Sequence, residues 1–80
     1  SLHDALPILP AANGYGRAGI PDIICCYNGR FIAIECKAGK GTTTALQDKE
    51  LGAIRTAGGF AYVANEHNLQ ELAKLLLWMR

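Results

Sequence analysis

Eighty residues make a single domain, and at this length a monomer buries only about 60% of the surface its unfolded chain exposes. Half of the residues are hydrophobic, 19% are charged and the net charge is +1. That balance excludes a disordered chain and a polycationic one, so any attraction to a polyanion must come from a local patch. The longest apolar run near the C-terminus, 75 to 79, is far too short to span a membrane.

Residues 1 to 19 carry two prolines and three glycines with no clear period, and the expectation is mostly loop. The first residue is not Met, and no basic region precedes an apolar block, so no signal peptide is expected. Residues 1–15 are expected to be a loop, cut short or extraneous to a domain spanning 16–80. DIICCY (22–27) and RFIAIECK (30–37) are rich in Ile, Cys and aromatics and predict two strands. Between them, Asn28-Gly29 is a strong hairpin signal, because a type I′ turn needs positive φ at both central positions. AGKGTTT then predicts a flexible loop. Thr44-Ala45-Leu46-Gln47 fits a capping box that starts a helix, with Gln47, Leu51 and Ile54 on one face and Gly58-Gly59 as its stop. FAYVA (60–64) predicts a third strand. Asn68-Leu69-Gln70-Glu71 can cap a last helix carrying Leu69, Leu72, Ala73, Leu76 and Leu77. Passing from strand 30–37 through a helix to strand 60–64 is a crossover, which suits a parallel pair. The fold class is α/β, a mixed β-sheet flanked by helices.

The three cysteines, Cys25, Cys26 and Cys36, are odd in number and contain no CxxC. They are expected to be small reduced core residues in a cytoplasmic protein. His3 and His67 are too far away in sequence to complete a zinc site and are expected at the surface.

A two-residue turn fixes the hairpin register. Tyr27 faces Arg30, and counting outward pairs Cys26 with Phe31, Cys25 with Ile32, Ile24 with Ala33, Ile23 with Ile34, and Asp22 with Glu35. Like charges so opposed are destabilising. Period-two alternation puts Lys37 on the face of Glu35. Two readings follow. A divalent metal between the acids removes the conflict, since Mg²⁺ takes one or two carboxylates plus waters and phosphate oxygens. Alternatively, Lys37 bridges both acids in a solvated charge cluster. Gln47 either serves only the cap or faces inward to the strands. GKGT (39–42) is not a P-loop, because Gly41 stands where a hydroxyl residue should follow Gly-Lys. Lys40 and Arg17 are candidate phosphate contacts, and Tyr15 could stack on a base. Arg30 lies at the far end of the hairpin. Trp78 and the leucine stripe are expected to cover the sheet or form a dimer contact.

Pro21-Asp22 followed by Glu35-Cys36-Lys37 matches the PD-(D/E)xK nuclease pattern. With RAGIPDII, NGRFIAIECKAGKG, Gln47 and AGGFAYVAN, the stretch from about Gly16 to Asn65 resembles the VRR-NUC (virus-type replication-repair nuclease) family. The resemblance implies a restriction-endonuclease-like core and a Mg²⁺- or Mn²⁺-dependent deoxyribonuclease acting on DNA, often branched, of phage or bacterial replication and repair type. It implies Asp22, Glu35 and the backbone carbonyl of Cys36 as metal ligands, with Lys37 and Gln47 as further catalytic residues. It also implies a homodimer, in the cytosol of a bacterium or phage-infected host. Family members usually bring another acid on an N-terminal helix. The first 15 residues here show no such helix, and Asp4 is a poor substitute. The alternative is a non-catalytic nucleic-acid-binding module that keeps the nuclease fold.

Overall fold

Asn28 and Gly29 both take positive φ, 51° and 77°. This I′-type turn matches the twist of the strands it joins. It closes a hairpin between β2 (Ile23–Tyr27) and β3 (Arg30–Cys36) in the expected register, from Tyr27 opposite Arg30 to Ile23 opposite Ile34. The computed structural model describes residues 5–8 and 19–80.

Helix α1 (Ala45–Thr56) follows β3 and returns the chain to β4 (Phe60–Ala64), which pairs parallel to β3. Thr44 and Gln47 form the full capping box: the Gln47 N–H donates to Thr44 Oγ1 and the Thr44 N–H donates to Gln47 Oε1. At the other end, Gly58 (φ 97°) donates to the Arg55 carbonyl and Gly59 to that of Ile54, the paired bonds of a Schellman stop. Helix α2 (Leu69–Trp78) ends the fold.

A fourth strand corrects the reading of residues 1–19 as loop. β1 (Ala5–Ile8) pairs antiparallel with β2, giving the order β1-β2-β3-β4 and a mixed sheet. Pro7 masks this strand in the sequence, yet proline is tolerated at the margin of a sheet, where a missing N–H breaks no central ladder.

The helices lie on opposite faces. Cys25, Tyr27, Ile32 and Ala64 pack with Leu72 and Leu76 of α2. Ala33 and Ala61 pack with Leu51 of α1. Burying a side chain such as Leu51 stabilises the fold by about 1.5–3 kcal/mol. The α2 stripe is narrower than expected: Leu72 and Leu76 are buried, whereas Leu69, Leu77 and Trp78 face outward. Leu69, Ala73 and Leu77 fall on the exposed side of a ten-residue helix whose inner side needs only one apolar row. The expected box at Asn68 also differs, since Asn68 makes no side-chain cap bond. Its Oδ1 accepts the Asn65 N–H and its Nδ2 donates to the Val63 carbonyl, while Glu71 accepts the Tyr62 hydroxyl. On α1, the Arg55 guanidinium donates to the Ala61 carbonyl. Of the cysteines, Cys25 is buried as expected, whereas Cys26 and Cys36 are exposed, and all three are free thiols. No helix among the described residues is long and apolar enough to cross a membrane.

Candidate active site

The hairpin register ends at Ile23 with Ile34, one residue short of Asp22 and Glu35. Asp22 stands just before β2, and Glu35 is the penultimate residue of β3. Period-two alternation turns Glu35 to the α1 face with Ala33, where it is 3% exposed, the buried charged residue of the core. The first turn of α1 passes over this point. Gln47 Nε2 donates to Glu35 Oε2 at 2.9 Å. Lys37 Nζ stands 3.4 Å from the same oxygen, its side chain mostly shielded from solvent. Glu35 Oε1 is buried with no hydrogen-bond partner.

Gln47 therefore does both things between which the sequence left a choice. Its carbonyl oxygen closes the capping box and its amide nitrogen holds Glu35. The start of α1 and the acid of β3 are tied through one side chain. Asp22 has a role that its position alone did not disclose: Oδ2 accepts the Cys36 N–H at 2.8 Å, linking the two acidic strand ends. Gly19 takes a φ of 89°, a conformation that its place in RAGIPDII does not signal. A Cβ there would lie 2.6 Å from the Leu46 carbonyl oxygen, so only glycine lets the segment leading to Asp22 pass against the first turn of α1. Pro21 behind it is buried.

The electrostatics follow from this crowding. Burial pushes the Glu35 carboxyl above its ordinary value, and the Asp22 charge pushes in the same direction. Lys37 opposes the rise without cancelling it. The Cys36 thiol is raised too, first by burial and then by the charges of Asp22 and Glu35, which disfavours the thiolate. Its side chain is exposed, so what Cys36 offers the site is backbone.

Asp22, Glu35, Lys37 and Gln47 thus converge, and the backbone of Cys36 runs between the first two. Among the described residues, no group of three or more His, Cys, Asp or Glu forms a metal cluster. The donor set for a cation is two carboxylates. An unpaired, buried carboxylate oxygen beside a second carboxylate is the donor chemistry that a hard divalent cation takes, with waters or phosphate oxygens completing the shell. The residues present therefore fit Mg²⁺ or Mn²⁺. Lys40 is exposed in the loop behind Lys37, and Arg30 is at the opposite end of the hairpin. Arg17, Tyr15, His3 and Asp4 lie outside the described residues.

A family model described as archaeal Holliday junction resolvase (hjc) matches residues 8–76, well over half of the chain. No curated protein and no solved structure matches.

Proposed function

We propose a function from one premise: the chain belongs to the archaeal Holliday junction resolvase family. That is a PD-(D/E)xK-type nuclease family, the superfamily its motif implied, and the sheet and helices are those of a restriction-endonuclease-like core. The matched family is the resolvase rather than the VRR-NUC family that the sequence resembles. The protein hydrolyses phosphodiester bonds in branched DNA, four-way junctions above all, with Mg²⁺ or Mn²⁺. The observation that carries this reading is Glu35, a buried acid with one oxygen held by Gln47 and Lys37 and the other left free beside Asp22.

Asp22 and Glu35 would hold the cation, together with the backbone carbonyl of Cys36. Bound there, a divalent cation polarises a phosphoryl oxygen and lowers the pKa of its water. The chain's own side chains do the rest. Gln47 fixes one oxygen of Glu35, so the other faces the cation site in one rotamer. Lys37 sets a positive charge at the mouth of the site, where negative charge grows on phosphorus as water attacks and the P–O bond to the sugar breaks. The Asp22 bond to Cys36 keeps the two strand ends from splaying under the mutual repulsion of their acids. Lys40, and Arg17 upstream, contact substrate phosphates. The working unit is a homodimer: a four-way junction presents two equivalent strands to cut, and an 80-residue chain gains buried surface by pairing.

A second reading, a non-catalytic DNA-binding module, is favoured by the pair rather than triad of acids that meet among the described residues. One experiment separates the two. Linear, flapped and four-way DNA are incubated with Mg²⁺ or Mn²⁺ and wild type, Asp22→Ala or Glu35→Ala. Cleavage of the junction by wild type alone, lost on chelation, is expected. Binding without cleavage by all three proteins supports the module and overturns the enzyme.

A further inference from the structure

Glu66 belongs to none of the motifs above, yet both of its oxygens accept the Gly39 N–H, at 2.8 and 3.2 Å. The bond joins the loop behind Lys37 to the turn between β4 and α2, a separation of 27 residues. The Glu66 carboxyl is held below its ordinary value, first by its own backbone N–H and then by that of Gly39, so the acceptor is a full carboxylate near neutral pH. His67 Nε2 lies 3.5 Å from the same side chain.

The clasped loop is a defined turn. Gly41 donates to the Ala38 carbonyl at 2.9 Å, and Gly39 between them has a φ of 57°. Positive φ at the first central position is the type II′ pattern, which glycine supplies without strain. Lys40 is the second central residue, so its side chain is displayed from the tip. The turn runs close by the candidate catalytic lysine. Even a Cβ added at Gly41 would meet Lys37 Cβ at 3.8 Å, and the Lys37 N–H donates to the Ala64 carbonyl at 2.9 Å, tying the start of the loop to β4. Glu66 thus secures one small unit that contains both lysines. Without the clasp, Gly39-Lys40-Gly41 is a stretch of high backbone freedom, and ordering it for a ligand is entropically unfavourable. An exposed acid beside a phosphate-binding loop repels the ligand, so its place there needs another use.

We propose that Glu66 is a positioning residue for the nucleic-acid substrate: it pins the Ala38–Gly41 turn so that Lys40 meets a DNA phosphate and the stem of Lys37 stays seated beside Glu35. This rests on the nuclease reading above. The test needs no catalysis. Binding of a four-way DNA junction is titrated in EDTA over a range of salt for wild type, Lys40→Ala, Glu66→Ala, Glu66→Gln and the double alanine variant. Lys40→Ala is expected to lower the slope of log K against log salt by about 1. Glu66→Ala gives the same loss, although it removes a repulsive charge, and the double variant loses nothing more. Glu66→Gln keeps an acceptor for the Gly39 N–H and keeps the wild-type slope. Hydrogen exchange on the DNA-free protein gives an independent readout, in which the Gly39 amide loses protection in Glu66→Ala and retains it in Glu66→Gln. Tighter binding by Glu66→Ala, a wild-type slope, or an equally protected Gly39 amide overturns the inference alone. A wild type that binds no DNA even at low salt overturns the nuclease reading and this inference with it.

Discussion

Glu35→Gln is expected to stabilise the protein in the absence of metal. In the wild type, Glu35 is 3% exposed, Oε1 has no partner, and Asp22 adds a like charge. A buried acceptor left unsatisfied costs about 1–3 kcal/mol, and more when charged. The amide keeps an oxygen for Gln47 Nε2 and removes the buried charge that Asp22 repels. In a domain of this size 1 kcal/mol shifts Tm by about 4–8 °C, so even the low end is measurable. The sign with pH follows from the raised carboxyl. Below its ordinary value of 4.5, Glu35 is protonated folded and unfolded alike, and wild type and variant should be close. As pH rises past that value the unfolded chain ionises first, so wild-type stability falls until the folded carboxyl has also ionised. The variant lacks this slope. Melting both proteins in EDTA at pH 4 and pH 8 should give a small gap at pH 4 and a higher Tm for Glu35→Gln at pH 8. Saturating Mn²⁺ should then favour wild type, by about 2.7 kcal/mol at a hundred times its Kd. A variant that melts below wild type at pH 8 in EDTA, or a gap that ignores pH, refutes the reasoning.

Gly19→Ala forces a side chain into the Leu46 carbonyl at an unfavourable φ and should cost about 2 kcal/mol or more in urea unfolding. An alanine variant as stable as wild type would mean the segment leading to Asp22 is not seated on α1. Thr44→Ala removes one cap and should cost about 1 kcal/mol. Gln47→Ala should cost more than Thr44→Ala and weaken Mn²⁺ binding by calorimetry, because Glu35 loses its donor as well. Equal effects of the two on metal affinity would mean that the Gln47 bond to Glu35 adds nothing beyond the cap, and would refute this expectation. Leu51→Ala should lose about 2–5 kcal/mol, whereas Trp78→Ser, at a position 87% exposed, should leave the urea midpoint within experimental scatter.

Local signals made the hairpin, α1 and β4 legible. Asn28-Gly29 set the register, which holds from Tyr27 with Arg30 to Ile23 with Ile34, and it pointed to Asp22 and Glu35 at the next step. The Thr44 to Gln47 box and the double glycine bounded α1 nearly to the residue. What escaped the sequence depends on distant partners. β1 exists because β2 offers it a ladder, and Pro7 argues against it locally. Asn68 was expected to cap α2, but the free carbonyl of Val63 and N–H of Asn65 compete for its side chain. The clasp between Gly39 and Glu66 spans 27 residues and leaves no periodic trace in the chain. Gln47 posed two alternatives because a propensity argument assigns a side chain one partner, and an amide has two ends.

The hydrogen bonds from Arg55 to Ala61 and from Asn68 to Val63 bear on how two such molecules could meet. The Ala64 carbonyl points to β3, where it receives the Lys37 N–H, so the alternate carbonyls of Ala61 and Val63 point to the rim of the sheet. Both are already occupied by side chains of the same molecule. At the opposite rim, Pro7 withholds a donor. A second copy therefore gains little by laying a strand along either margin. The proposed homodimer would then have to form through side chains, for which the exposed Leu6, Cys26 and Phe31 of the sheet are available, and both guarded margins disfavour the edge-to-edge stacking that leads small open sheets into fibres.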